Sequence, residues 1–210
     1  MAAPEPQGLT RRGLARLLGG AAVQTLLVAC KTGAPWNSVD VNGTLPDLSF
    51  TLTRAENGRP VTEADYRGKI VMLFFGYTNC PDVCPLTMGN LMQILHKLGD
   101  KGSDIVVLFV TVDPVRDTAP VLAAYGAALD PRVQTLRGTD NQLAVLARRY
   151  RVTYKVLPAE GSRPYTVLHG PSVYVFDRTG AARIMIPKFY DNTADIPGVT
   201  TDMLRLVAEG

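Results

Sequence analysis

Two residues in this chain of 210 stand out for their chemistry: Cys80 and Cys84, in the segment Asn79-Cys80-Pro81-Asp82-Val83-Cys84-Pro85. A thiolate is both a nucleophile and a soft metal ligand, so a pair of thiols separated by three residues has two uses. One is reversible disulfide formation, in which one sulfur attacks and the other resolves. The other is the binding of one soft metal ion between two sulfurs. Two thiolates under-fill most metal sites, and the chain offers only two histidines as a third donor. His96 lies twelve residues past Cys84 on the expected helix, and a surface or packing role suits it. His169 precedes an apolar strand in a Gly-Pro loop, and a βαβ connection can return such a loop to the thiols. On composition alone, His169 is equally a ligand or a structural loop residue. Structural zinc is disfavoured, because it normally takes four protein ligands.

The elements that must position these thiols can be read from hydrophobic pattern. Ile70 to Tyr77 is an unbroken apolar run, as expected for a strand buried on both faces. Leu86, Leu91, Ile94, Leu95 and Leu98 then form a helical stripe over 85–98. The cysteines therefore sit where a strand hands over to a helix, the place where open α/β sheets put their sites. With a helix start near Asp82, four-residue spacing puts both thiols on one face, beside unpaired N–H groups that favour thiolate.

Further along, 105–112 reads as a strand, 119–128 as a helix and 133–136 as a short strand. Thr139 caps a helix to Tyr150, 172–177 and 182–186 form a hairpin around Arg178-Thr179-Gly180, and 200–208 is a last helix. Upstream, Asp47 to Leu52 alternates apolar and polar residues and Asn57-Gly58 turns the chain into Val61, an N-terminal hairpin. The pattern predicts an α/β fold, a thioredoxin-like three-layer sandwich with an N-terminal β-hairpin extension.

Residues 1–29 read as a targeting segment. Arg11, Arg12 and Arg16 precede a 13-residue apolar stretch from Leu17 to Ala29, too short for a simple membrane span. Leu27-Val28-Ala29-Cys30 resembles a bacterial lipobox, which makes Cys30 the lipid-attachment residue, and Thr10 to Arg16 resembles a twin-arginine export motif. The alternative is an uncleaved anchor with an incidental cysteine; both place the body outside the cytoplasm, in the bacterial envelope. Residues 30–45, rich in Gly, Pro and Asn, read as a membrane-proximal linker, and 46–210 as the domain.

The net charge of +3 includes three arginines and one glutamate of the targeting segment, so the body is nearly neutral. Without a concentrated basic stripe, nucleic acid is not an expected partner. Once Cys30 is taken by lipid, Cys80 and Cys84 remain as an even pair in an oxidising compartment.

Residues 74–85, with Thr111-Val112-Asp113-Pro114-Val115-Arg116-Asp117-Thr118 and with His169 followed by Tyr174-Val175-Phe176-Asp177, resemble the Sco/SenC family. That family comprises copper-binding proteins that help to assemble cytochrome c oxidase, and the resemblance covers about residues 45–208. It implies a thioredoxin-like fold and copper, as Cu(I) or Cu(II), held by Cys80, Cys84 and His169. It also implies a membrane-tethered metallochaperone that serves the copper A subunit of the oxidase, alongside other periplasmic copper chaperones or thiol reductants. Oxidation of Cys80 and Cys84 to a disulfide would switch binding off.

The acidic residues Asp113 and Asp117 are hard donors, expected to support the site rather than ligate copper. Gly170-Pro171-Ser172 departs from the family, which usually has Ser or Thr after the histidine. Pro171 also resembles the cis-proline position of thioredoxins, and that favours a rival reading in which Cys80 and Cys84 are the catalytic pair of a thiol–disulfide oxidoreductase. A peroxidase built on Thr78 and Cys80 is disfavoured by the competing second cysteine.

Overall fold

Seven consecutive fully buried residues, Ile70–Gly76, form strand β4, the centre of the molecule. The structure, a computed structural model, describes residues 34–162 and 164–209. The targeting segment 1–29 and Cys30 lie outside the described residues. In chain order, β4 follows β1 (Val39–Asp40), β2 (Thr51–Arg54) and β3 (Pro60–Thr62). It leads into α1 (Val83–Leu98), β5 (Ile105–Thr111), α2 (Ala119–Ala127), β6 (Val133–Arg137) and α3 (Asp140–Arg149). The chain ends with β7 (Tyr154–Leu157), β8 (Thr166–His169), β9 (Val173–Phe176), β10 (Ala182–Ile186) and α4 (Ile196–Ala208).

Eight strands make one sheet in the order β1-β10-β9-β4-β5-β6-β2-β3. β4, β5 and β6 run parallel, and β9 pairs antiparallel to β4, with Phe74 opposite Val173. α1 and α2 each connect neighbouring parallel strands in the same direction across the sheet, and because such crossovers are right-handed as a rule, both helices fall on the same face, where α4 packs against α1. Because strand side chains alternate, the other face presents Tyr174 and Phe176, whose rings meet Tyr150 at the end of α3. This is the expected three-layer thioredoxin-like sandwich, with the β2–β3 hairpin added at one end through β6.

Helix ends follow the residue chemistry. Thr139 and Gln142 form a capping box at the start of α3. Asp195 caps α4 and Pro197 occupies its first turn, so this helix starts before Thr200, where apolar periodicity alone begins it.

The structure departs from the sequence reading in two segments. The first is 36–45, expected to be a tether: here it belongs to the folded body. β1 adds to the edge of the sheet, and Val41 is buried. The buried Asp202 carboxylate accepts the backbone N–H of Asn37 (3.0 Å), the Asn37 side-chain amide (3.0 Å) and the backbone N–H of Ser38 (2.8 Å). Composition suggested a linker because Asn, Gly and Pro are turn formers, but one buried acceptor fixes the path. Asp202→Ala is expected to cost about 2–4 kcal/mol, since it removes three charge-assisted hydrogen bonds at once. Urea unfolding measures it; a loss below about 1 kcal/mol would mean that Asp202 does not hold this segment.

The second departure is the β7–β8 hairpin, which forms a separate two-stranded sheet with Tyr154 opposite His169. Sequence pattern placed His169 in a loop; it is instead the last residue of a strand. The two strands are short and joined by a stretch containing Pro158, Gly161 and Pro164, so neither shows a period long enough to recognise.

Candidate metal centre

β4 delivers the thiol loop to the end of the sheet, and the loop turns before α1 begins. Cys84 is the second residue of α1 and is buried, anchored above Met88 and Leu91 in the core. Cys80 precedes the helix, so the pair does not share a helical face, contrary to the spacing argument. The loop brings the two thiols together, with the Cys80 N–H donating to the Tyr77 carbonyl at 3.2 Å. Both thiols are free.

His169 approaches from the other side. Its Nε2 lies 3.2 Å from Cys84 Sγ and 3.9 Å from Cys80 Sγ. The three donor atoms lie within 4.8 Å of one another, and no other group of three or more candidate ligands is found among the described residues. The two nitrogen-to-sulfur distances, 3.2 and 3.9 Å, are short enough for one ion bound at about 2.0–2.3 Å to each donor. The ring is fixed from behind: Nδ1 sits 3.1 Å from the Gly170 carbonyl. The Gly170 carbonyl can take the Nδ1 proton, and with a metal bound that leaves the Nε2 lone pair to the ion, the tautomer a metal requires. Phe74 and Tyr77 contact the imidazole edge-on, at centroid distances of 5.9 and 5.8 Å. The Gly170–Pro171 bond is trans, so the thioredoxin-type cis-proline arrangement is absent.

The two sulfurs are not equivalent. Cys80 is held far below the ordinary thiol range, first by a hydrogen bond from Cys84 and then by His169 and the backbone N–H groups of Asp82 and Cys84. Cys84 is pushed up, because it supplies that shared proton and is buried. Cys80 is therefore the thiolate of the pair, and a metal that takes both sulfurs must displace the Cys84 proton.

Asp113 and Asp117 lie outside the donor cluster and brace its two loops. Asp117 accepts the Thr78 N–H (3.1 Å), the Thr78 hydroxyl (2.6 Å) and the Thr111 hydroxyl (2.5 Å). The Thr78 hydroxyl is thus committed to Asp117, a further mark against a Thr78–Cys80 peroxidatic pair. Asp113 pairs with Arg116 and accepts the Tyr165 hydroxyl at 2.8 Å. Arg116 stacks on the Tyr165 ring at 3.7 Å and donates to the Tyr165 carbonyl, which fastens the His169 hairpin to the β5–α2 loop. The Tyr77 hydroxyl joins the thiol loop to the same hairpin through Thr166 at 2.8 Å. His96 is exposed in the last turn of α1, away from the cluster.

Sequence reasoning named the Asp-Pro-x-Arg-Asp-Thr element but not the roles of Tyr77, Arg116 and Tyr165. Their signal is a polar group paired with a partner distant in the chain, visible only once that partner is known.

The family model SCO1/SenC matches residues 42–204. The chain belongs to the SCO1/SenC family. Among curated relatives, Protein SenC of Rhodobacter capsulatus is 31% identical over 166 residues, covering 79% of this chain and 70% of SenC. The mitochondrial SCO2 homolog of Bos taurus is 33% identical over 153 residues, covering 72% of this chain and 56% of that protein. The chain spans only 44–58% of the length of the mammalian SCO1 and SCO2 homologs it matches. A crystal structure of Arabidopsis thaliana ScoI with copper bound aligns with a TM-score of 0.69 and 30% identity, covering 78% of this chain and 99% of that one.

Proposed function

We propose that this SCO1/SenC protein binds copper through Cys80, Cys84 and His169 and delivers it to the copper A centre of cytochrome c oxidase. The observation that carries the proposal is the S₂N cluster at the end of β4, three donors within 4.8 Å with the imidazole Nδ1 against the Gly170 carbonyl. The donor set fits the metal: two soft thiolates favour Cu(I), and an imidazole is an accepted third partner. The copper-bound Arabidopsis relative supports the same choice. The membership of the chain in the family supports the oxidase as recipient. Low coordination number and a half-exposed Cys80 suit a cargo that must be handed on by ligand exchange. Tethering through a lipid on Cys30, with the domain on the extracytoplasmic side of a bacterial membrane, completes the proposal. No helix among the described residues is long and apolar enough to cross a membrane.

The test is titration of the purified protein with Cu(I) and with Cu(II), once reduced and once with the Cys80–Cys84 disulfide formed. The expected result is one equivalent of copper in the reduced form, a thiolate-to-Cu(II) absorption band, and no tight binding after oxidation. Equal binding by both forms would exclude the two thiols as ligands.

A second reading, thiol–disulfide oxidoreductase, is favoured by the asymmetry of the pair. A half-exposed thiolate at Cys80 beside a buried, protonated Cys84 is the arrangement of an attacking and a resolving sulfur. The two readings share both cysteines, and His169 separates them.

A further inference from the structure

Gly76 ends β4, directly before the thiol loop. Its φ lies outside the left-handed region, so an alanine could adopt the same backbone conformation. Space is what the position lacks. An ideal Cβ built on Gly76 falls 2.9 Å from Cys84 Sγ and 2.8 Å from Phe109 Cε2, closer than real Cβ contacts come. Neither neighbour can easily retreat. Cys84 belongs to a helix whose buried face is locked into the core, and Phe109 is held between Phe74 at 6.1 Å and Tyr125 at 4.9 Å.

We propose that Gly76 is a positioning residue of the metal site, its missing side chain being the seat of the Cys84 sulfur. With that seat open, the inner sulfur lies against the backbone of β4, 3.2 Å from His169 Nε2. A methyl group there must turn or lift Sγ away from its present place, which changes the distance from the inner donor to the other two. The inference rests on the copper reading for its functional consequence, but the seat itself is a packing statement that can be tested without metal.

The experiment has two arms. In the first, urea unfolding of the reduced, metal-free protein is measured for wild type, Gly76→Ala, Cys84→Ala and the double variant. The expected result is non-additivity: Gly76→Ala costs less stability when Cys84→Ala has removed the sulfur it strikes. An additive cycle overturns the proposal.

In the second arm, Gly76→Ala is titrated with Cu(I) against a chelator and its Cu(II) spectrum recorded. The expected result is at least about tenfold weaker binding and a shifted thiolate-to-copper band, as misplaced donors cause. A folded Gly76→Ala with wild-type affinity and spectrum also overturns the proposal. Gly76→Ala/Phe109→Leu, which removes the ring collision but keeps the sulfur collision, carries the same measurement if the single variant does not fold. If wild type itself binds no copper, the copper reading fails and the stability cycle alone decides on the seat.

Discussion

His169→Ala is expected to weaken copper binding by the reduced protein by about 100-fold or more, while disulfide exchange by Cys80 and Cys84 stays measurable. The ring contributes one of three donors, and two sulfurs alone under-fill the ion. Among the described residues nothing else takes its place: Asp113 and Asp117 are hard oxygens already engaged by Arg116, Tyr165, Thr78 and Thr111. His96 sits at the far end of α1. Thiol exchange has no such need, because its electrons pass between sulfurs. Cys80 loses one hydrogen bond that favours its thiolate, but Cys84 and two backbone N–H groups remain. Chelator competition for Cu(I) and reduction of a small disulfide by the same sample give the two readouts. Unchanged copper affinity would sink the three-ligand site and leave the oxidoreductase reading in front.

Asp117→Ala is expected to destabilise the protein by about 3 kcal/mol or more and to loosen the thiol loop. Asp117 is fully buried, and its carboxylate accepts from the Thr78 backbone, the Thr78 hydroxyl and the Thr111 hydroxyl. Truncation leaves the buried Thr111 hydroxyl and the two half-buried Thr78 donors without this partner and opens a cavity behind the loop, and the costs of the stranded groups add. At roughly 2–4 °C per kcal/mol for a domain of this size, the melting temperature should fall by about 10 °C. Asp117→Asn, which keeps the volume and one carbonyl acceptor, should recover a large part of that loss. A change under about 1 kcal/mol for the alanine variant would show that the loop is held by other contacts, with Tyr77 the first to examine.

Much of the fold was legible because its core elements obey local rules. β4 and β5 are uninterrupted apolar runs, α3 carries a capping box and an apolar stripe, and β9 and β10 flank a recognisable turn. Each signal lies within a few residues of the element it specifies. Elements defined by a distant partner did not show. β1 is two residues long and exists because β10 offers an edge and Asp202 offers an acceptor some 165 residues away. β7 and β8 are each four residues, stabilised by Tyr77, Arg116 and Asp113 rather than by their own pattern.

The sequence by itself determined which chemistry is available: two thiols at a strand-to-helix junction, two histidines, and a motif set that identifies the family. Residue type and spacing are written directly in the chain, and so is the period of buried strands and helices. The sequence favoured His169 over His96, and the tertiary structure supplied the contact itself, because His169 and Cys84 are 85 residues apart and meet at 3.2 Å through a hairpin held by side-chain contacts. Only the tertiary structure decided that Cys80 lies off the helix, that Cys80 is half-exposed while Cys84 is buried, and that Gly76 leaves the room Cys84 occupies. Burial and close contact are properties of neighbours in space, and the neighbours of this site come from β4, β5, α1 and β8 together.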